Sequence, residues 1–297
     1  MASDQHQFSA AYKADFNELY NQHTPRSYFT ILHPLEYTIP QQVLPLIRNL
    51  HQLSCRGATS SIILDVCCSY GINGGLLRHH VDIDTWTAHY TGPELSSKAQ
   101  LLADKEFFAS RTRPSKPAVL GFDKAEHAVR YALDVGLIDA GWAEDLENEG
   151  PSSELYRALQ DVTLVICTGA VGYLTSRTFD RIMAAIDRPS KPWVLSTVIR
   201  TSSYNEIGIA LGQHGLVTEK LPGVVLRQRR FASAQEQSDA VTQVAALGLN
   251  PTGIEDKGYL CADVYISRPL TETSTPPISE LAKHLGGIQV VEADICN

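Results

Sequence analysis

Along most of the chain, short runs of consecutive apolar residues alternate with longer stretches whose apolar positions recur every three or four residues. The short runs are SIILDV (61–66), PAVLGFD (117–123), VTLVIC (162–167), WVLSTVI (193–199), VVLRQRRF (224–231) and YLCADVYIS (259–267), with a weaker one at VGLID (135–139). Runs of this length, rich in Val, Ile and Leu, predict strands covered on both faces. Between them GINGGLLRHH, DKAEHAVRYALDV, SRTFDRIMAAID, SYNEIGIALGQHG and SAQEQSDAVTQVAALG carry helical spacing. Strands alternating with helices indicate a parallel, doubly wound sheet. The last two strands, separated by one helix and close to the end, supply an antiparallel edge. The expected architecture is α/β: a mostly parallel seven-stranded sheet with an antiparallel edge strand.

The first sixty residues read helical, with the Pro-punctuated stretch TPRSYFTILHPLEYTIP in the middle. We therefore expect an N-terminal helical cap over 1–58, a main domain over 59–270 with an insertion at 81–116, and a tail over 271–297. No internal repeat or long low-complexity linker interrupts this order.

Composition narrows the function classes. A chain of 297 residues, 43% hydrophobic and 20% charged, has ample core for a globular α/β domain. Its net charge of -8 argues against a general nucleic-acid binder. No apolar run reaches the roughly 18 residues of a membrane span. The polar start MASDQHQFSAAYKADF lacks a secretory h-region, so a cytoplasmic protein with no membrane partner is expected. The six cysteines, Cys55, Cys67, Cys68, Cys167, Cys261 and Cys296, include no C-x-x-C pair. Reduced thiols are expected, and adjacent Cys67 and Cys68 make a poor zinc pair, so no metal is expected.

Candidate chemistry concentrates after the first strand. SIILDVCCSYGING reads as strand, tight loop and helix start, and in a doubly wound sheet ligands bind at such strand ends. This segment resembles the first motif of the class I S-adenosylmethionine-dependent methyltransferases: an acidic residue followed by three glycines at every second position. Asp65 matches the acid, Cys67 and Ser69 stand at the first two glycine positions, and Gly71 matches the third. Two of three glycines are replaced, though by small residues. The resemblance continues, in order, over roughly 60–270. Asp123 ends the next strong strand, where the family carries the acid that holds the ribose hydroxyls. GWAEDLE (141–147) resembles the adenine loop, with Trp142 stacking, Ala143 offering a backbone N–H, and Glu144 or Asp145 near the exocyclic amine. Thr168 and Gly169, in DVTLVICTGAVGYLT, would face the methionine end. The resemblance thus implies a Rossmann-like fold, S-adenosylmethionine as cofactor, and cofactor contacts from these residues together with Tyr70 and Lys124.

Asp65 and Asp123 are separated by more sequence than in related folds, where the ribose acid lies about 20 residues past the glycine loop. The extra residues, expected as a loop plus a longer helix, suggest a lid, a substrate wall or a dimer arm. Asp82 or Asp84 is the alternative ribose acid. On the bland reading, Asp65 and Asp123 simply cap the helices that follow them.

Methyl transfer requires a nucleophile aligned about 3 Å from the methyl carbon, and a base only for a weakly acidic protonated acceptor. A carboxylate acceptor instead requires cations. Arg200, after the fifth strand, and Arg227 and Arg229, expected on one face of their strand with Arg230 pointing away, are candidates for gripping it. On the bland reading these charges face solvent on an edge strand. Tyr28, Tyr37, Tyr173 and Tyr204 are candidate acceptor contacts, and His33 a candidate base. The reading is a small-molecule methyltransferase, favouring oxygen over nitrogen (a carboxylate, hence an anionic acceptor, or a hydroxyl), with a homodimer as one option for its assembly. Alternatives are a small-molecule N-methyltransferase, a nicotinamide-dependent oxidoreductase, for which no G-x-G-x-x-G spacing is present, and a non-catalytic cofactor-binding homologue. Nucleic-acid methylation is disfavoured by the acidic balance and by CTGAVGY after the fourth strand, where an Asn/Asp-Pro-Pro-Tyr/Phe stretch would be needed.

Overall fold

The computed structural model describes residues 19–55, 61–188, 190–285 and 288–289. Parts of the expected cap (1–18 and 56–58) and tail (286–287 and 290–297, including Cys296) lie outside them. The strands are β1 (Ile62–Val66), β2 (Ala118–Phe122), β3 (Ala140–Trp142), β4 (Val162–Val171), β5 (Trp193–Ile199), β6 (Leu216–Lys220), β7 (Val224–Arg230), β8 (Tyr259–Pro269) and β9 (Ile288–Gln289). They form one sheet in the order β3-β2-β1-β4-β5-β8-β7-β9, with β6 also on β8.

β1 to β5 are parallel, and β8 runs antiparallel to β5. β6 and β7 share one edge of β8. β6 pairs from Leu216 opposite Pro269 to Lys220 opposite Tyr265, and β7 continues from Leu226 opposite Ala262 to Arg230 opposite Tyr259. Between them the Leu221 N–H still donates to the Val264 carbonyl. The core sheet therefore has seven strand positions, one filled by a broken strand. This is the expected doubly wound, Rossmann-like architecture with an antiparallel edge, although LVTEK (216–220) was not anticipated as a strand.

Successive strand residues feed opposite faces. Ile63, Leu164, Ile166 and Leu195 pack into one core, with the helices α1 (Arg26–Leu32), α2 (Ile39–Ser54), α3 (Ile72–Arg78), α4 (Ile83–Ala88), α5 (Ser97–Ala109) and α6 (Glu126–Val135). Leu64, Val165, Val194 and Val198 pack into the other, with α7 (Ser153–Leu159), α8 (Ser176–Ala185) and α9 (Asn205–Gln213). α2 buries Ile39, Val43, Leu46, Ile47 and Leu50, a stripe at helical spacing that seats it on the sheet. Among the described residues no helix is long and apolar enough to cross a membrane.

The weak strand expected at 135–139 is displaced. Gly136 ends α6 in the left-handed conformation (φ 81°), and Leu137 and Ile138 bury their side chains in the core instead of extending a ladder; pairing starts only at Ala140. Asp139 is spent on the turn, accepting from the Val119 N–H and the Arg78 guanidinium. The insertion 81–116 holds two helices, α4 and α5, rather than one.

Close backbone approach puts α3 against this turn. A Cβ on Gly74 would lie 2.3 Å from the Leu137 carbonyl oxygen, whereas one on Gly212, in α9, would meet nothing within 4 Å. We predict that Gly74→Ala loses more than about 2 kcal/mol of stability, while Gly212→Ala gains roughly 0.5–1 kcal/mol from helix propensity. Urea denaturation checks both, and equal behaviour of the two variants would contradict the packing described.

Candidate active site

The strand order reverses between β1 and β4, so the loops after β1, β2 and β4 diverge and leave a crevice at their carboxyl ends. A cleft of about 600 Å³ opens there. Its floor is the turn after β1. Cys67 (φ 56°), Ser69 (φ 49°) and Gly71 (φ 73°) are all left-handed, at alternate positions. These are the three positions at which the resemblance calls for glycine. A non-glycine residue in this conformation costs roughly 1–2 kcal/mol, so the turn is held by force. The Cys68 N–H donates to the Phe122 carbonyl (3.1 Å) and the Ser69 N–H to Asp123 Oδ2 (3.0 Å). Gly121 lacks the side chain that would collide with Cys68, since a Cβ there would lie 2.7 Å from its sulfur.

Asp123 accepts through both oxygens, the second from the Ala125 N–H (2.9 Å). Burial pushes its carboxyl upward despite these bonds. Asp65 is 1% exposed and accepts from Asn73 Nδ2 (2.9 Å), which also donates to Thr168 Oγ1 (2.9 Å). Burial pushes the Asp65 carboxyl up to about 7, only partly countered by Asn73. Asp65 Oδ2, Asn73 Oδ1 and Ser69 Oγ are buried with no hydrogen-bond partner among the described residues. Three orphaned oxygen acceptors around one turn ask for a donor.

The far wall is the 144–148 stretch. Glu147 is buried enough to raise its pKa, but bonds from Thr175 and Thr178 outweigh that and hold it low. They clamp the stretch to α8. Asp145 turns back on the Glu147 N–H and Asn148, and Glu144 accepts from the Ser152 N–H. The roof comes from the N-terminal segment. The Tyr70 hydroxyl donates to the Leu19 carbonyl (2.7 Å) and accepts from the Gln22 N–H (2.8 Å), while Asn21 accepts from the His127 N–H (2.9 Å). This strap lays Tyr20 and Asn21 over the opening.

Of the candidate cofactor residues, Cys67, Ser69, Asp123, Lys124, Glu144, Asp145, Thr168 and Gly169 line the cleft. Asp65 lies directly behind it on Asn73. Tyr70 and Gly71 do not line it: Tyr70 is fully buried as the anchor of the strap, and Gly71 packs on Ala132 and Leu137. Trp142 and Ala143 precede the lining stretch, and Trp142 packs into the second core instead of facing a ligand. Neither alternative ribose acid is there: Asp82 caps α4 through the Thr85 N–H, and Asp84 pairs with His33.

Of the candidate acceptor residues, Tyr28, Tyr37 and Tyr173 line the cleft. The rest lie elsewhere. His33 is an exposed partner of Asp84 (2.9 Å), outside the cleft. Arg200 is 5% exposed and its terminal nitrogens are engaged, with both Glu255 oxygens (3.0 and 2.7 Å) and the Asn250 carbonyl. Tyr204 is buried behind the sheet, bonded to Ser196 (2.9 Å) and stacked on Tyr265. A bulge separates Arg227 from Arg229: two β7 steps match one step of β8, making Gln228 the extra residue. Side-chain parity is thereby reversed. Arg227 points out with Arg230, both over the Tyr259 ring, while Arg229 is buried against Glu236. The arginines expected to grip a carboxylate are thus absent from the cleft. No residue of the 81–116 insertion lines it either.

Tyr20, Asn21, Asn73 and Asn148 are lining residues that the sequence reading missed. Asn73 had a signal, since it is the second residue of α3, facing back to the strand that carries Asp65. Tyr20 had none, because only the strap's tertiary bonds place it. Among the described residues no cluster of His, Cys, Asp and Glu could hold a metal.

No family model matches the chain, and no curated protein matches it. Among solved structures it is similar to a TehB-like SAM-dependent methyltransferase from Corynebacterium glutamicum, at 16% identity and TM-score 0.35, over 73% of this chain and 85% of that one. It is also similar to magnesium protoporphyrin IX methyltransferase from Synechocystis PCC 6803 (11% identity, TM-score 0.38, 91% and 98% covered). A third is a SAM-dependent methyltransferase from Aquifex aeolicus (13% identity, TM-score 0.39, 83% and 98% covered). Likeness at this level leaves the functional argument to the residues of the cleft.

Two substitutions separate architecture from ligand contact here. Arg200→Ala leaves Glu255 buried and unpaired, and should lose roughly 3–5 kcal/mol in denaturant melts. Ser69→Gly removes a strained left-handed residue and an orphaned hydroxyl, and should gain on the order of 0.5–1 kcal/mol after its added chain entropy. A loss of stability in Ser69→Gly would mean that its side chain, not its backbone, holds the turn.

Proposed function

We propose that this protein is an S-adenosylmethionine-dependent methyltransferase that acts on a hydroxyl oxygen of a small molecule. The observation carrying the reading is the alternating left-handed turn of Cys67, Ser69 and Gly71, with Asp65 behind it and Asp123 at the end of the neighbouring strand. The residues fit the cofactor on independent grounds. An α-ammonium offers three donors, and three buried oxygens without a partner among the described residues sit around the turn: Asp65 Oδ2 near the end of β1, Ser69 Oγ on the turn and Asn73 Oδ1 at the start of α3. Asp123 is the carboxylate suited to a ribose diol, and Glu144 and Asp145 to an adenine edge. When bound, the sulfonium supplies an already activated methyl group.

The chain's own contribution is positioning and exclusion of water. Asn73 ties Asp65 to Thr168, so the carboxyl behind β1 and the hydroxyl on β4 form one rigid unit. The strap, pinned by Tyr70 and His127, shields the opening. A roofed cleft of about 600 Å³ suits a small acceptor. With Arg200 and Arg229 committed to buried glutamates, a hydroxyl is supported over a carboxylate.

Calorimetry with S-adenosylmethionine and S-adenosylhomocysteine tests the reading: both should bind one per chain, and Asp123→Asn should weaken each roughly 10- to 100-fold. Absence of heat on folded protein would end it. The pH dependence follows from Asp65. Its pKa is raised from 3.8 to about 7, so the folded state holds that proton more tightly than the unfolded one. Charging Asp65 therefore costs stability progressively as pH rises from about 4 to about 7, with no further loss above. An ammonium on Asp65 favours the charged form, so ligand binding at pH 6–7 should release protons, measured as heats that vary with buffer ionisation enthalpy. Asp65→Asn should abolish that release.

A further inference from the structure

The tyrosines of the cap form one side of the cleft. Tyr28 meets Tyr20 edge-on (6.0 Å between centroids, 69°) and Tyr37 likewise (6.3 Å, 89°). Such a wall presents ring faces and edges of low polarity, with phenol oxygens as its only polar groups. The Tyr37 hydroxyl is seated on Gly169 at the end of β4, where a Cβ would lie 2.5 Å from its oxygen. Gln228, the residue turned inward by the bulge, reaches the same corner, its Nε2 3.8 Å from that point. Its Oε1 is buried with no partner among the described residues. Burial holds the Tyr20, Tyr28 and Tyr37 phenols neutral.

The ionisable groups of the cleft are mostly acidic. Asp123, Glu144, Asp145 and Glu147 line it and Asp65 stands behind it; the single cation among the lining residues is Lys124, exposed at the rim beside Asp123. Arg229 approaches the tyrosines from behind, but its charge is matched by Glu236 at 2.5 Å. An anion entering here would shed water with only Lys124, at the exposed rim, to meet it, against carboxylates already present. A flat neutral molecule would shed little, stack on or edge into the tyrosines, and find the Tyr37 hydroxyl at the Gly169 corner.

We propose that the acceptor is an uncharged aromatic hydroxyl compound of one or two rings, held by the Tyr20–Tyr28–Tyr37 wall with its hydroxyl at the Gly169 corner. The inference deepens the methyltransferase reading and rests on it for the meaning of "acceptor", but the wall and the charge balance are properties of the cleft alone.

An isosteric pair of probes tests it. 2-Naphthol is neutral at pH 7 and 2-naphthoate is an anion of nearly the same shape. Each is titrated into the full chain saturated with S-adenosylhomocysteine, and in parallel into the protein alone, with saturation-transfer NMR and calorimetry as readouts. The expected result is naphthol binding at least ten-fold tighter than naphthoate. Tyr37→Phe should weaken naphthol five- to ten-fold while keeping the ring wall, and Tyr28→Ala should weaken it further. Naphthoate binding as tightly as naphthol, or neither probe binding, overturns the proposal even if both variants fail to fold, because the comparison is made on the unaltered chain. Failure of S-adenosylhomocysteine to bind would instead strike the cofactor reading, and the parallel titration would still decide the character of the wall.

Discussion

Everything at this cleft depends on one backbone constraint: five residues after β1 must pass through three left-handed conformations while pressed against β2. Only Gly71 adopts such a conformation freely. Cys67 and Ser69 together cost on the order of 2–4 kcal/mol, and the neighbouring strand offsets it. The Phe122 carbonyl and the Asp123 carboxylate take the Cys68 and Ser69 N–H groups, and the bare Gly121 lets Cys68 lie flat on the strand. Asp123 is thus both a candidate ligand contact and the clamp of the turn. Its substitution would be felt twice, which is why its backbone bonds matter as much as its charge.

Charge is distributed across the molecule with the same economy. In the antiparallel half, each buried arginine meets a carboxylate: Arg200 with Glu255, Arg229 with Glu236, Arg268 with Glu219. Breaking such a pair strands a buried charge, so these side chains are not available to a ligand. Arg78 with Asp139 repeats this in the parallel half, but at the strand-order switch the balance is reversed. Asp65 has an amide for company and no cation, and burial pushes its carboxyl up to about 7. A buried acid left short of donors at the strand-order switch is a strong local statement about what should arrive there.

The central strands were legible because β1, β2, β4, β5 and β8 are buried on both faces and read as mainly apolar runs. The misread elements each depended on a partner distant in sequence. LVTEK carries only one fully buried residue, Leu216, and becomes a strand because β8 is long enough to accept a second partner. VGLID has strand composition, but Leu137 is drawn under α3 by glycines 71, 74 and 75. The arginine parity on β7 failed at a bulge that no local pattern marks. Arg200 looked like a ligand at a strand end until Glu255, 55 positions on, closed over it. At the site, the acids and small residues of the turn were readable through the resemblance of SIILDVCCSYGING to the methyltransferase first motif. Tyr70 was not, since its role is set by a strap 48 to 51 residues earlier.

The insertion between α3 and β2 shows how such a cleft acquires its roof. It was expected to be a lid, a substrate wall or a dimer arm, and none of its described residues reaches the opening as a lid or wall would. Trp86 is fully buried between Phe29 of α1 and Phe108 of α5, and Tyr90 stacks on Phe29 while its hydroxyl joins Tyr131 and Asp104. Asp104 accepts four bonds with no exposure, from His89, Gln100, Tyr90 and Tyr131. A network so fully satisfied is rigid, and it fixes the insertion to α6. Arg26, at the start of α1, is in turn held by the carbonyls of Tyr90, Gly92 and Pro93. The insertion is therefore the footing of α1, and α1 carries Tyr28. At the other end of the cap, Glu36, itself left-handed, is gripped by Arg230 and Tyr259 and sets the position of Tyr37. The aromatic wall is thus fixed at both ends by groups that never touch the cleft, so its ring spacing is a property of the fold rather than of the ligand.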